Sequence, residues 1–151
     1  MRTAAAILQP SLSIEVLLGG KKVLQFKQRS ALDWVAVIRQ GLSSAAVDSL
    51  VETLRVTQSE LAAALGIPER TLARRKKEGR LNSEESSKLV RLARIVGRAR
   101  EIFEDPDTAL DWLKSPNAAL SGATPLSLLD TDIGAESVMD TLGRIEHGVF
   151  A

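Results

Sequence analysis

Apolar residues return every three or four positions along most of this chain, the spacing of a single helix face, and short polar breaks divide them into segments. Leu32, Val35 and Ile38 lie between Ser30 and Gly41, so residues 31–40 read as a helix with a cap at each end. A second helix starts near Ser44 and carries Val47, Leu50, Val51 and Leu54. Thr57, with Glu60 three residues on, has the spacing of a capping box for a third, Gln58 to Leu65, which Gly66 ends. Ile67 and Pro68 lead directly into a fourth, which Gly79 stops. Asn82 or Ser83 then opens a longer helix with a stripe of Leu89, Leu92, Val96, Ala99 and Phe103, and Lys88, Arg91, Arg94 and Arg98 fall largely off it. This helix reads as a rod joining two halves of the molecule.

Asp105 and Pro106 form a cap and first-turn pair for a helix bearing Trp112, Leu110 and Leu113, which Ser115, Pro116 and Asn117 break. Thr124 and Pro125 restart a short helix with Leu126, Leu128 and Leu129. The last helix, residues 134–147, puts Val138, Leu142 and Ile145 on one stripe before Gly148. Residues 11–27 fit two patterns, a hairpin turning at Gly19-Gly20 or a helix ending there. The fold class expected is all-α.

Composition narrows the classes. With 44% hydrophobic and 26% charged residues, the 151-residue chain has the make-up of a soluble globular protein dominated by strong helix formers. It holds no cysteine, which excludes disulfides, a thiolate zinc site and a Cys nucleophile. The N-terminal apolar run breaks at Pro10 and lacks the pattern of a signal peptide, and no run approaches the ~20 apolar residues of a membrane span. A cytoplasmic protein with no membrane association is expected.

Charge changes the picture more. The net charge of +1 conceals a strong asymmetry: residues 69–100 hold eleven Lys or Arg against Glu69, Glu78, Glu84 and Glu85, whereas residues 101–151 hold ten acidic residues against Lys114 and Arg144. Such a division suggests two surfaces with two partners. The densest part of the basic pole, PERTLARRKKEGR, directly follows a capped helix and a Gly-Ile turn. Helix, turn and basic helix in that order are the parts of a helix-turn-helix, with Ala62 and Ala63 allowing close packing, Gly66 the turn, and Ile67 and Leu72 the plug between the helices. The start of the second helix reaches base edges in this motif, which nominates Glu69, Arg70, Thr71 and Arg74. Arg70 and Arg74, at i and i+4, are spaced to present two guanidinium forks to guanines. Arg75, Lys77 and Gln58 are expected on phosphates, which hold register without reading sequence. A single unit covers few base pairs, so a homodimer formed through residues 1–55 is expected to bind paired half-sites of operator DNA.

Enzymatic readings find little support in the residues. Asp105/Asp107 and Asp130/Asp132 lie at helix starts, where capping and the helix dipole favour Asp without any catalytic role. The stretch DTDIG is too short for a calcium loop, and His147, the sole histidine, makes no metal site or triad alone. Gly19-Gly20-Lys21 lacks the spacing of a phosphate loop. The chain is expected to be no enzyme and to need no cofactor or metal.

The acidic end adds a family likeness. Phe103, Trp112-Leu113, Pro116-Asn117, Leu120, Gly122, Pro125-Leu126, Leu128-Leu129, Gly134, Val138, Leu142, Arg144-Ile145 and Gly148, in that order, resemble the toxin-binding domain of the Xre/MbcA/ParS antitoxin family. The stretch from Thr71 to Arg94 is similar to the DNA-binding half of the same family, so the likeness covers roughly residues 45–151. The resemblance implies a type II antitoxin that binds and blocks a RES-domain toxin, an enzyme hydrolysing NAD or using it for ADP-ribosylation, and that represses its own operon. It also implies that the C-terminal helix and tail reach the toxin's cleft, here Arg144, Glu146, His147, Val149, Phe150 and Ala151. The expected domains are an N-terminal dimerising segment over 1–55, a helix-turn-helix domain over 44–100 and a toxin-binding domain over 101–151. The residues alone leave open a helix-turn-helix regulator whose C-terminal half serves only oligomerisation, and a scaffold that never touches DNA.

Overall fold

Asn82 opens a helix with a capping box, and that helix is the longest of those described. In the computed structural model, which describes residues 10–24 and 30–148, Asn82 Oδ1 accepts from the Glu85 N–H at 2.8 Å while Glu85 Oε1 accepts from the Asn82 N–H at 2.9 Å. This reciprocal capping satisfies two of the orphan donors at a helix start. The helix runs from Ser83 to Phe103 and ends where Glu104 turns left-handed at φ 60°. The described helices are α1 (Pro10–Leu17), α2 (Asp33–Gln40), α3 (Ala45–Leu54), α4 (Gln58–Leu65), α5 (Glu69–Glu78), α6 (Ser83–Phe103), α7 (Pro106–Lys114) and α8 (Asp132–Glu146). Single 3-10 turns occupy Gly20–Lys22, Ala118–Leu120 and Pro125–Leu128. Among the described residues there is no strand, only an isolated antiparallel bridge between Ser43 and Arg80.

The apolar stripe expected on α6 is buried at Leu89, Leu92, Val96 and Ala99, with Phe103 at its half-exposed end. Val90, Ala93, Ile95 and Gly97 are buried as well, so the helix is covered on several sides rather than along one seam. α1, α2 and α4 pack on it from the N-terminal half, and α7 and α8 from the C-terminal half. The expected rod is therefore the axis of one continuous core. Each Leu or Val removed from water there is worth about 1.5–3 kcal/mol, which outweighs the modest helix propensity of its Val and Ile.

α1 settles the ambiguity of the N-terminal pattern: a helix ends at Leu17, and Leu17 and Leu18 are fully buried against the core. Residues 25–27 lie outside the described residues. α2 departs from its expected phase. It begins at Asp33, after a turn in which the Ser30 N–H donates to Asp33 Oδ2 at 3.1 Å, and it buries Trp34 at 5% exposure. Leu32 and Val35, read as core, point outward at 78% and 38%, and Ile38 is half-buried. The indole offers the larger apolar surface, and turning it onto the core rotates the two smaller side chains away. On α4 the buried small residues are Ala62 and Ala64, and Ala63 is exposed. α8 begins two residues before the expected position, because Thr131 Oγ1 caps the Gly134 N–H at 3.0 Å. Leu113 is buried as expected, and Trp112, half-buried, lies against Phe103 with ring centroids 5.7 Å apart. No described helix is long and apolar enough to cross a membrane.

The opposite charges do not simply face two partners. Arg91 on α6 pairs with Asp132 and donates to the Leu129 carbonyl at 2.8 Å, Arg98 pairs with Glu146 and Glu101, and Arg55 reaches Asp107 at 2.9 Å. Part of the basic pole is thus spent on docking the acidic half.

Gly41 holds the α2–α3 corner to the far end of α5. It sits at φ 89°, and a Cβ there would meet the Leu81 carbonyl oxygen at 2.3 Å, while Leu81 N–H donates to the Leu42 carbonyl and Arg80 to the Gly41 carbonyl. Gly41→Ala combines a left-handed backbone with a clash against main chain. It is expected to destabilise the protein by at least about 2 kcal/mol, read as a lower denaturation midpoint in urea at unchanged slope.

Candidate functional site

The helix-turn-helix is built on α4 and α5. Thr57 caps α4 with its hydroxyl oxygen accepting from the Glu60 N–H at 3.0 Å and Glu60 returning the bond to the Thr57 N–H at 2.9 Å. The two bonds, backbone first, hold the exposed Glu60 carboxyl below its ordinary range. At the other end Gly66 turns left-handed at φ 68° and donates to the Ala62 and Ala63 carbonyls. Ile67 and Leu72 are buried between the helices. The turn is also seated from outside: a Cβ on Gly66 would lie 3.2 Å from the Asp130 carbonyl oxygen and 3.3 Å from its Cβ. The 3-10 turn Pro125–Leu128 packs against α4 itself.

α5 divides its charges into two sets. Arg70, Arg74 and Lys77, at i, i+4 and i+7, are exposed along one face, and none has a side-chain hydrogen bond or ion pair with another described residue. Glu69 is exposed beside them, and Thr71 is half-buried. Arg75 behaves differently from the phosphate contact expected of it. Its Nε donates to Glu85 at 2.8 Å and its Nη1 to Glu78 at 3.0 Å, with only 22% of its side chain exposed, so its fork is occupied by carboxylates of its own chain. Glu85 is 7% exposed and receives both Arg75 and the Asn82 N–H, which ties the capping box of α6 to the side of α5. Lys76, which the sequence did not single out, reaches Asp48 at 2.7 Å and the Gln58 side-chain carbonyl at 3.0 Å, linking α3, α4 and α5. Gln58 therefore keeps only its amide hydrogens for an outside acceptor. The result is an α5 fixed by Arg75 and Lys76 and presenting Arg70, Arg74 and Lys77.

The second surface is the outer side of α8. Arg144 and His147 are exposed on it. Glu146 is held by Arg98, whose hydrogen bond keeps its carboxyl below the ordinary Glu range, with His147 at 3.9 Å. Val149, Phe150 and Ala151 lie outside the described residues. Going back along the same exposed stripe are Asp140, Glu136 and Ile133, the last 78% exposed. The sequence reading missed Ile133. Its signal was there, since it falls off the Val138–Leu142–Ile145 stripe and stands between Asp132 and Gly134 at a helix start.

Three of the four carboxylates set aside as catalysts are in structural use. Asp105 caps α7 and accepts from the Thr108 hydroxyl at 2.7 Å, a bond that lowers its pKa, and Asp107 and Asp132 sit in the bridges to Arg55 and Arg91. Among the described residues no group of His, Asp and Glu is placed to hold a metal ion.

Comparison with known proteins matches both halves of the chain. Residues 33–94 match the Antitoxin Xre-like helix-turn-helix domain, and residues 98–148 match the Antitoxin Xre/MbcA/ParS C-terminal toxin-binding domain. The chain is 38% identical over 116 residues to Antitoxin Xre of Yersinia enterocolitica, covering 76% of this chain and 78% of that protein. It is 34% identical over 118 residues to Antitoxin Xre of Photorhabdus laumondii, covering 77% and 80%. It is 29% identical over 132 residues to a protein of Sphingobium sp. named Prs ADP-ribosylating antitoxin, covering 81% and 83%.

Glu85 is the hinge of this arrangement. Glu85→Ala removes the capping-box return bond and leaves the Arg75 Nε without its partner, and is expected to cost about 1–3 kcal/mol in chemical denaturation. Arg74→Ala, on the presented face of the same helix, is expected to leave the midpoint within about 0.5 kcal/mol of its starting value.

Proposed function

The chain belongs to the Xre/MbcA/ParS antitoxin family, and from that premise we propose that it blocks a RES-domain, NAD-consuming toxin and represses its own operon as a homodimer on DNA. Its two domains are binding domains, a helix-turn-helix and a toxin-binding domain, and neither is an enzyme. DNA and a toxin are accordingly its two partners. The division we adopt is a dimerising segment over residues 1–55, a DNA-binding domain over 44–100 and a toxin-binding domain over 101–151, acting in the cytoplasm where operator and toxin meet.

The observation that carries this reading is the split on α5. Arg70, Arg74 and Lys77 have no partner among the described residues and lie on one exposed face, although acidic side chains are plentiful elsewhere in the fold and take up Arg75, Lys76, Arg91 and Arg98. Cations left over in this way suit phosphates and guanine edges. Arg70 and Arg74, with Glu69 and Thr71, are assigned to bases, and Lys77 and the Gln58 amide to the backbone. Arg75 acts by holding the helix.

Dimerisation finds support in the exposed apolar side chains Val16 on α1, Leu32 just before α2 and Val35 on α2, ahead of the helix-turn-helix. For the toxin, support comes from the outer stripe of α8, where Ile133 is a ready anchor and Arg144, Glu146 and His147 follow it. Val149, Phe150 and Ala151 are assigned to the same contact. The name of the Sphingobium relative points to ADP-ribosylation, a reaction that consumes NAD, which agrees with a RES-type target.

Arg70→Ala and Arg74→Ala are each expected to weaken operator binding by about 1–3 kcal/mol and to relax preference at one base pair, and Lys77→Ala to reduce the salt slope by about 1 without changing preference. Unchanged operator affinity in the double Arg variant would remove the DNA half of the proposal. The full-length protein is expected to retain the product of the adjacent gene on an affinity column and to suppress its NAD consumption, with Ile133→Asp weakening capture by tenfold or more, roughly the loss of a buried anchor. A neighbour that carries no RES domain, or that is not retained, would sink the toxin half.

A further inference from the structure

α3 stops at Leu54 because Arg55 takes a left-handed backbone, φ 53°, and α7 starts at Pro106 beside that end. The two are clasped together: Arg55 pairs with Asp107 at 2.9 Å, and Lys114 Nζ donates to the Arg55 carbonyl at 2.9 Å. Beneath the clasp lies a cleft of about 320 Å³. Its floor is apolar, formed by Leu54, Val96, Leu110 and Leu113.

Two charged side chains in the lining take no part in the clasp. Arg100 is half-buried and Glu52 exposed; neither has a side-chain hydrogen bond or ion pair with another described residue, and they do not pair with each other. A guanidinium drawn partly out of water over an apolar floor, without a counter-ion, is costly unless something supplies one. Glu52, in the same lining, carries the opposite charge. The cleft thus offers a cation, an anion and an apolar surface, at a volume near the lower limit of roughly 300 Å³ for small-molecule sites.

We propose that this cleft binds a free α-amino acid with an apolar side chain. The carboxylate meets Arg100, the ammonium meets Glu52, and the side chain rests on Leu54, Val96, Leu110 and Leu113. Such a ligand spans the seam between the helix-turn-helix bundle and the C-terminal unit, so its binding stabilises the packing of one on the other. The site is separate from both the α5 face and the outer stripe of α8, and the proposal stands or falls independently of the toxin's identity.

Calorimetry and methyl NMR on the full-length protein with L-leucine test it. Saturable binding is expected, with shifts at Leu110 and Leu113 methyls. 4-Methylpentanoate, which lacks the ammonium, and leucinamide, which lacks the carboxylate, are expected to bind at least about tenfold more weakly. Arg100→Ala should abolish the leucine response while operator affinity stays unchanged, and Glu52→Gln should weaken leucine but not 4-methylpentanoate. Absence of saturation by leucine up to about 10 mM, or equal binding by Arg100→Ala, overturns the proposal.

Discussion

Ten of the residues of α6 are buried, and a helix covered on so many sides exists only when other elements wrap it. That one requirement organises the molecule. α1, α2 and α4 cover it from the N-terminal side and α7 and α8 from the C-terminal side, so the two halves share a core instead of being strung along a linker. The start of α6 carries a second duty. Glu85, buried, closes the capping box and holds Arg75, so the same carboxylate that begins the long helix also ties α5 to it.

Electrostatics in this fold is a matter of allocation. Arg91, Arg98 and Arg55 meet acidic residues of the C-terminal half, and Arg75 and Lys76 meet acidic or amide groups around the helix-turn-helix. Exposed pairs of this kind add little stability one by one, but they decide which cations remain available. On α5 the remainder is a single face. Net charge by segment says that the middle of the chain is basic; the pairing says which three side chains of its densest helix have no partner among the described residues.

Much of this was legible before any coordinates. Thr57, Asn82, Asp105 and Thr124 announce their helices because capping is a local contest between a side-chain oxygen and a few backbone N–H groups, decided within four residues. The helix-turn-helix was legible for the same reason, its turn and plug being close in sequence. The phase of α2 was not, since Trp34 wins the inward position through contacts with α6, distant along the chain. Neither was the role of Arg75, identical in type to Arg74 beside it and distinguished only by the direction of Glu85. Ile133 escaped notice because an isolated apolar residue at a helix start carries no periodicity of its own.

The contact between Gly66 and Asp130 bears on how such proteins can be recombined. The turn of the DNA-reading motif is seated directly against the loop that precedes α8, with clearance for a hydrogen but not comfortably for a methyl group. A head taken from another protein would fit this C-terminal half only if it brought a similarly bare turn. The two domains are thus not interchangeable cassettes, because the turn of one and the loop before α8 of the other must fit within the same few ångströms of backbone.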